Sequence, residues 1–166
     1  YNYHSKKLKI IHPLSKEVKC MKLALDGNLW LGTDEGLYLF QTQTNLLSVN
    51  YLTTNCTVTD ILQDKKKEIW ATTDGCGIYK VIDKNKKAIP FQFTNGKQFV
   101  KSNSIWSLHE DRDGNMWIGT LRGGISRIDN SPKYFKTIKD NPKDNEPAEN
   151  FILSFCEDEK KNVWIG

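Results

Sequence analysis

Short apolar runs of five to seven residues, broken every 8 to 12 positions by Asp, Asn, Gly, Lys or Pro, dominate this chain. That rhythm predicts many short strands and few helices, and no window sustains an i, i+3, i+4, i+7 apolar stripe beyond two turns. Four runs contain the same phrase, a Trp framed by apolar residues and followed by small ones: Asn28–Thr33, Glu68–Thr73, Asn115–Thr120 and Asn162–Gly166. Their tryptophans Trp30, Trp70, Trp117 and Trp164 are 40, 47 and 47 residues apart. A period of about 40 to 50 residues holding several strands is the signature of a β-propeller blade.

Each period resolves into four strands, a to d. The first has a near 17–25, b near 28–33, c near 36–41 and d near 46–52. The second has a near 57–63, b near 68–73, c near 77–82 and d near 88–94; the third has 104–110, 115–120, 124–129 and 133–138. The expected fold is all-β, a propeller segment of four-stranded antiparallel blades. Blades at about 17–52, 55–94 and 103–138 are complete, and partial blades cover 1–12 and 150–166. Because propellers close with roughly four to eight blades, the chain reads as part of one propeller domain in a longer ring.

A blade packs against a neighbour on both faces, so its inner strands should be apolar on both sides. The four motif tryptophans are therefore expected between blades, each with an indole N–H that needs a partner. Gly32, Gly119 and Gly166 follow closely, where a neighbouring backbone can approach, and Ala71 reads as the second copy's substitute. Gly36, Gly75 and Gly123 mark the b–c turns, where positive φ is expected. Asp26, Asp64, Asp111 and Asp158 open the a–b turns as side-chain acceptors of backbone N–H groups. Asp111, Asp113 and Asn115 imitate the start of a calcium loop, but Met116 and Arg122 occupy the positions that need Gly and Glu.

Candidate chemistry is sparse. Cys20, Cys56, Cys76 and Cys156, with His4, His12 and His109, lack zinc-ligand spacing, so neither metal nor cofactor is expected. Cys56, just before strand a of the second blade, and Cys76, in its b–c turn, should meet on one face. A bridge there and two buried free thiols are both open; Cys20 and Cys156 should stay apart. Net charge is only +4, and the lysines cluster in turns such as 65–67 and 84–87, as expected for solvated hairpin tips and not for a nucleic-acid-binding face. No apolar run approaches the roughly 20 residues of a membrane helix.

The stretch Ile105–Asp129, with Glu110-Asp111-Arg112-Asp113-Gly114-Asn115-Met116-Trp117-Ile118-Gly119-Thr120-Leu121-Arg122-Gly123-Gly124-Ile125, resembles the two-component-regulator propeller repeat, and the other copies extend the likeness over nearly the whole chain. The resemblance implies a non-catalytic sensor segment of a hybrid two-component histidine kinase, periplasmic, probing polysaccharide-derived oligosaccharides and signalling to transcription, in a receptor that works as a homodimer. None of the kinase's own motifs lies in the chain. A glycan-cleaving propeller enzyme of sialidase or lyase type is the first alternative. However, two of the turns read Asp-Gly-Asn where sialidases usually place Asp-x-Gly, and the acidic residues mostly repeat as turn residues, whereas an enzyme would need a Tyr/Glu, His/Tyr or arginine cluster converging on the axis. A protein-interaction ring of the WD type is the second, and no Gly-His or Trp-Asp pair recurs to support it.

A ligand is expected on the face of the d–a connections and b–c turns. The d–a connections vary most, at 53–56, 95–103 and 139–149, and variable loops on a rigid scaffold carry function. Candidate ligand-binding residues are Trp106 and the turn charges Arg122, Asp34, Glu35 and Asp74. Trp106 stands eleven residues before a motif Trp, where the other copies have Lys19, Thr59 and Leu153. Sugar stacking and ordinary packing are both open for it.

Overall fold

The computed structural model describes residues 15–82, 86–91, 102–129, 135–138 and 152–166. The partial blade at 1–12, most of the 95–103 connection and the whole of 139–149 lie outside the described residues. The described chain has fourteen strands and no helix. Strands β1 (Val18–Leu23), β2 (Leu29–Thr33), β3 (Gly36–Gln41) and β4 (Leu46–Leu47) form the first blade in the order of the chain. The second is β5 (Val58–Gln63), β6 (Ile69–Thr73), β7 (Gly77–Ile82) and β8 (Lys87–Pro90). The third is β9 (Ile105–Glu110), β10 (Met116–Thr120), β11 (Gly124–Ile128) and β12 (Phe135–Ile138), and β13 (Phe155–Glu157) with β14 (Val163–Ile165) makes a hairpin. All pairings are antiparallel. The first strands β1, β5, β9 and β13 neighbour one another in succession, which arranges the blades side by side.

Strand d of the first blade is shorter than the expected 46–52, and the reason is chemical. Beyond Leu47 the ladder bonds are shared between backbone and side chains: Leu39 N–H is bound by Ser48 Oγ at 2.8 Å, and Leu37 N–H by Asn50 Oδ1 at 3.0 Å. Ser and Asn side chains satisfy the same donors a regular strand would, so pairing persists while the regular strand stops.

The core lies between blades. Trp30, buried at 4% exposure, shares a cluster with Ile61, Ile69 and Ala71 of the second blade; Trp70, at 6%, shares one with Ile105, Leu108 and Ile118 of the third. Each Trp thus faces the following blade, and the residue after it in the next copy faces back. Tyr51 and Phe91 meet Trp30 and Trp70 edge-on, each at 4.9 Å between ring centroids. Trp117 is only half-buried, and Trp164 is 64% exposed, contrary to the expectation of burial. No described strand packs on the outer face of β14, and Leu153 and Ile165 are exposed with Trp164. Met21, Leu23 and Leu25 are likewise exposed along and just beyond β1.

Three indoles find the same partner. Trp70, Trp117 and Trp164 donate Nε1–H to Asp64, Asp111 and Asp158, six residues earlier, at 2.9, 2.9 and 3.1 Å. These aspartates also hold their own turns, as when Asp111 Oδ1 accepts from the Asn115 and Asp113 N–H groups. The apparent calcium loop therefore has its first carboxylate committed to protein donors. In the first blade Ala24 stands at this position and Asp26 serves a different one, bonding Asn28 within the turn.

Register corrects the glycine alignment. Gly32 pairs with Cys20 and Gly119 with Ser107, while their counterpart opposite Asp60 is Thr72, not Ala71. A Cβ on Gly32 would lie 2.7 Å from Val58 Cγ1 of the next blade, and one on Gly119 would lie 2.6 Å from Ile152 Cγ2. Close approach is thus the reason for both glycines. Cys20, whose thiol burial and the nearby Asp60 carboxylate push up to about 12, reaches the Val58 carbonyl at 3.8 Å. Asp60 makes the corresponding reach to the third blade, accepting from Leu108 N–H at 2.9 Å. In the b–c turns Gly36 and Gly75 have φ of 148° and 87°, but in the third the positive angles fall on Arg122 (65°) and Gly124 (73°), not on Gly123.

Cys56 and Cys76 are bridged, with Cα atoms 6.3 Å apart, so the expected meeting of d–a connection and b–c turn is realised as a disulfide. Cys20 and Cys156 are free.

Adding a methyl at Gly119 (Gly119→Ala) forces Ile152 and Ser107 apart and should cost about 1–3 kcal/mol, read as a lower denaturation midpoint. Opening the 20-residue separation closed by the disulfide should cost about 3 kcal/mol on the loop-entropy scale; Cys56→Ala with Cys76→Ala, melted beside the parent protein, measures it. Burial acts to raise the Asp111 pKa, but the Trp117, Asn115 and Asp113 hydrogen bonds outweigh it and hold the carboxyl below its ordinary range. Its stabilisation is therefore complete above the unfolded value of about 3.9 and disappears as pH falls through the lower folded value. Asp111→Asn, which cannot accept on both sides, should lose about 1–3 kcal/mol at neutral pH. The difference from the parent should shrink in denaturation series carried below pH 3.

Candidate functional site

A groove of ≈ 500 Å³ opens across the three blades, lined by Lys19, Asp34, Thr57, Val58, Thr59, Asp74 and Trp106. Its size falls within the range of roughly 300–1,000 Å³ common for small-ligand clefts. Every lining residue comes from a repeated position. Asp34 and Asp74 each stand four residues after a motif Trp, at the b–c turn, and Lys19, Thr59 and Trp106 each stand eleven residues before one.

Those last three share a backbone feature that sequence spacing did not show. The β1–β2 register shifts between Val18 and Cys20, and the β5–β6 register shifts between Val58 and Asp60. In the third blade Ile105 pairs with Thr120 and Ser107 with Gly119. Lys19, Thr59 and Trp106 are thus the extra residues of three equivalent β-bulges. A bulge re-aims the side chain of its unpaired residue, and here three of them reach one groove.

Adjacent blades are tied to each other at the rim. Asp34 N–H binds Glu17 O at 3.1 Å, Asp74 N–H binds Thr57 O at 2.9 Å, and Leu121 N–H binds Ser104 O at 2.9 Å, closing the same ring in each blade. From the next blade Thr57 donates its hydroxyl to Asp34 O at 3.2 Å, and Ser104 donates its hydroxyl to the Asp74 carboxylate. The disulfide joins Cys56, beside Thr57, to Cys76, two residues after Asp74, and so braces the middle of the groove.

Trp106 is held from two sides. Its Nε1–H donates to Ser104 Oγ at 3.3 Å, which continues to Asp74. The carbonyl of Ile105, the preceding residue, accepts from Thr59 Oγ1, which is 2.9 Å from Thr72 Oγ1. Trp106 remains 36% exposed. Lys19 Nζ is paired with Glu17 at 2.8 Å, so the carboxylates of Asp34 and Asp74 leave the groove net negative.

Of the five candidate residues, the structure brings together Trp106, Asp34 and Asp74. Glu35 lies outside the groove; its carboxylate pairs with Lys16 and its carbonyl accepts from Asn50 Nδ2 at 2.9 Å. Arg122 is exposed in the left-handed b–c turn of the third blade and does not line the groove. Sequence reasoning had noted Lys19 and Thr59 only as counterparts of Trp106, and had missed Thr57 and Val58. Among the described residues no group of three or more His, Cys, Asp or Glu is placed to hold a metal ion.

Comparison with known proteins agrees with the propeller fold. A 76-residue stretch, 43% of the chain, is 34% identical to Histidine kinase P4 of Formosa agariphila, of which it covers 5%. The extracellular domain of the hybrid two component system BT3049 of B. thetaiotaomicron superposes with a TM-score of 0.75 at 22% identity, over 99% of this chain and 23% of that one. Virginiamycin B lyase of Staphylococcus aureus superposes with a TM-score of 0.69 at 17% identity, over 93% of this chain and 51% of that one. The chain thus spans a small part of the kinase and about a quarter of the extracellular domain it matches. Residues 100–122, which include the β9 bulge and the Asp111–Trp117 pair, match the two component regulator propeller family, and the chain as a whole has the fold of a β-propeller segment.

Proposed function

We propose that this segment is the ligand-sensing part of a hybrid two-component histidine kinase, lies in the periplasm, and answers a polysaccharide-derived oligosaccharide without transforming it. The observation that carries the reading is the groove itself. It is assembled from equivalent positions of three blades, with an exposed Trp and two carboxylates on a scaffold whose repeat matches the two component regulator propeller. The likeness to Histidine kinase P4 and to the extracellular domain of BT3049 supports the receptor context, and a disulfide suits an oxidising compartment.

The exposed apolar faces at Met21, Leu23 and Leu25 and at Leu153, Trp164 and Ile165 support further blades of the same ring as this segment's first partners, since a repeat cannot bury its faces alone. In this reading the ligand shifts contacts within a receptor dimer, and no nucleic acid is bound by the segment.

The test is incubation of the intact ectodomain with candidate glycans, followed by product analysis and calorimetry. Binding without change in chain length is expected. Turnover that is abolished by a substitution within 1–166 overturns the sensor reading in favour of an enzyme.

A further inference from the structure

We infer that the bulge position of each blade's first strand is the specificity-determining position of the groove, with Lys19, Thr59 and Trp106 its three readers, and that the groove takes a neutral saccharide in preference to a uronate or sulfated one. This deepens the sensor reading and rests on it.

The bulge argument is one of register. A regular strand alternates its side chains between the two faces of a blade, and both faces are needed for packing. The extra residue of a bulge belongs to neither alternation, so its identity can change without disturbing the inter-blade core. That is the pattern seen: Lys, Thr and Trp, three unrelated side chains, occupy the bulge, whereas apolar residues Val58 and Ile105 precede it, both almost fully buried.

The chemistry of the ligand follows from the other groove atoms. Trp106 offers an aromatic surface for the C–H face of a pyranose or furanose ring. The Asp34 and Asp74 carboxylates accept hydroxyl hydrogen bonds, which are strong when the acceptor is ionised. Lys19 has its charge met by Glu17, so two carboxylates confront any incoming anion, and like charges repel at short range. A polyhydroxylated neutral ligand satisfies all three features.

Trp106 is also positioned. The chain Thr72–Thr59–Ile105 O and the chain Asp74–Ser104–Trp106 Nε1 both run from the second blade to the third. Thr72 stands where the first and third blades have Gly32 and Gly119. Its hydroxyl explains the departure, because Thr59 is held by it next to the strand that carries Trp106. Thr72 and Ser104 are therefore positioning residues for the aromatic platform.

The experiment uses the intact ectodomain and a panel of hexasaccharides of equal length: neutral gluco-, xylo-, manno- and arabino-oligomers beside an oligogalacturonide and a heparin-derived hexasaccharide. Calorimetry should find a neutral member bound. Trp106→Ala should weaken it at least tenfold, Trp106→Phe by less, and Thr72→Gly by three- to tenfold with the melting transition of the ectodomain retained. Asp34→Asn with Asp74→Asn should raise binding of the oligogalacturonide. Binding confined to the charged members, or no neutral member bound, overturns the ligand class. Neutral binding indifferent to Trp106→Ala overturns the bulge as reader while leaving the sensor reading intact. Glycan cleavage instead overturns the sensor reading.

Discussion

Burial of one blade's Trp against the next blade is the interaction on which the rest of this structure depends. A four-stranded sheet of five-residue strands has two apolar faces and almost no interior of its own. Trp30 and Trp70 supply that interior by filling the space before the following blade, where Ala71 and Ile118 face them. An aromatic of this size contributes several kcal/mol when buried, and its indole N–H must be satisfied at the same time. Asp64 does so for Trp70 and Asp111 for the half-buried Trp117, and the same carboxylates close the a–b turns. Core and turn are thus coupled through one side chain.

That coupling leaves the opposite rim free for variation. Turn aspartates anchor the a–b end of each blade, whereas the d–a and b–c end is held by backbone rings, inter-blade hydroxyls and the disulfide. The groove opens at this second rim. Its floor, Val58, is fully buried between blades, and its walls include the bulge residues Lys19, Thr59 and Trp106. The Asp34 and Asp74 carboxylates of the groove are engaged by rim hydrogen bonds from Glu17 N–H and the Ser104 hydroxyl.

The exceptions to the repeat are informative because the repeat is otherwise strict. Ala24 in place of Asp removes the shared acceptor from the first blade, and a cleft of ≈ 260 Å³ bordered by Ala24, Trp30 and Glu68 lies there. Thr72 in place of Gly introduces a hydroxyl between blades, and the neighbouring bulge then carries Thr59 in contact with it. Trp164 shows the general rule from the other side: with its Asp158 partner in place but no described strand over it, the indole stays exposed.

By itself the sequence determined the strands, their grouping into blades and the pairing of Cys56 with Cys76 as one of two open outcomes, because strand period, turn residues and chain distance are local properties. It also placed Trp106, Asp34 and Asp74 on one rim, since blade topology sends those turns and strand starts to the same side. Residue similarity pointed to Ala71 as the counterpart of the glycines, but Thr72 stands two residues after its motif Trp as Gly32 and Gly119 do, and strand register agrees with that count. Only the tertiary structure separated Glu35 and Arg122 from the groove, through an ion pair with Lys16 and a left-handed backbone that no spacing reveals. The bulges were hidden for the same reason. A single unpaired residue changes no periodicity strongly enough to be read along the chain, yet it decides which side chains meet when three blades stand side by side.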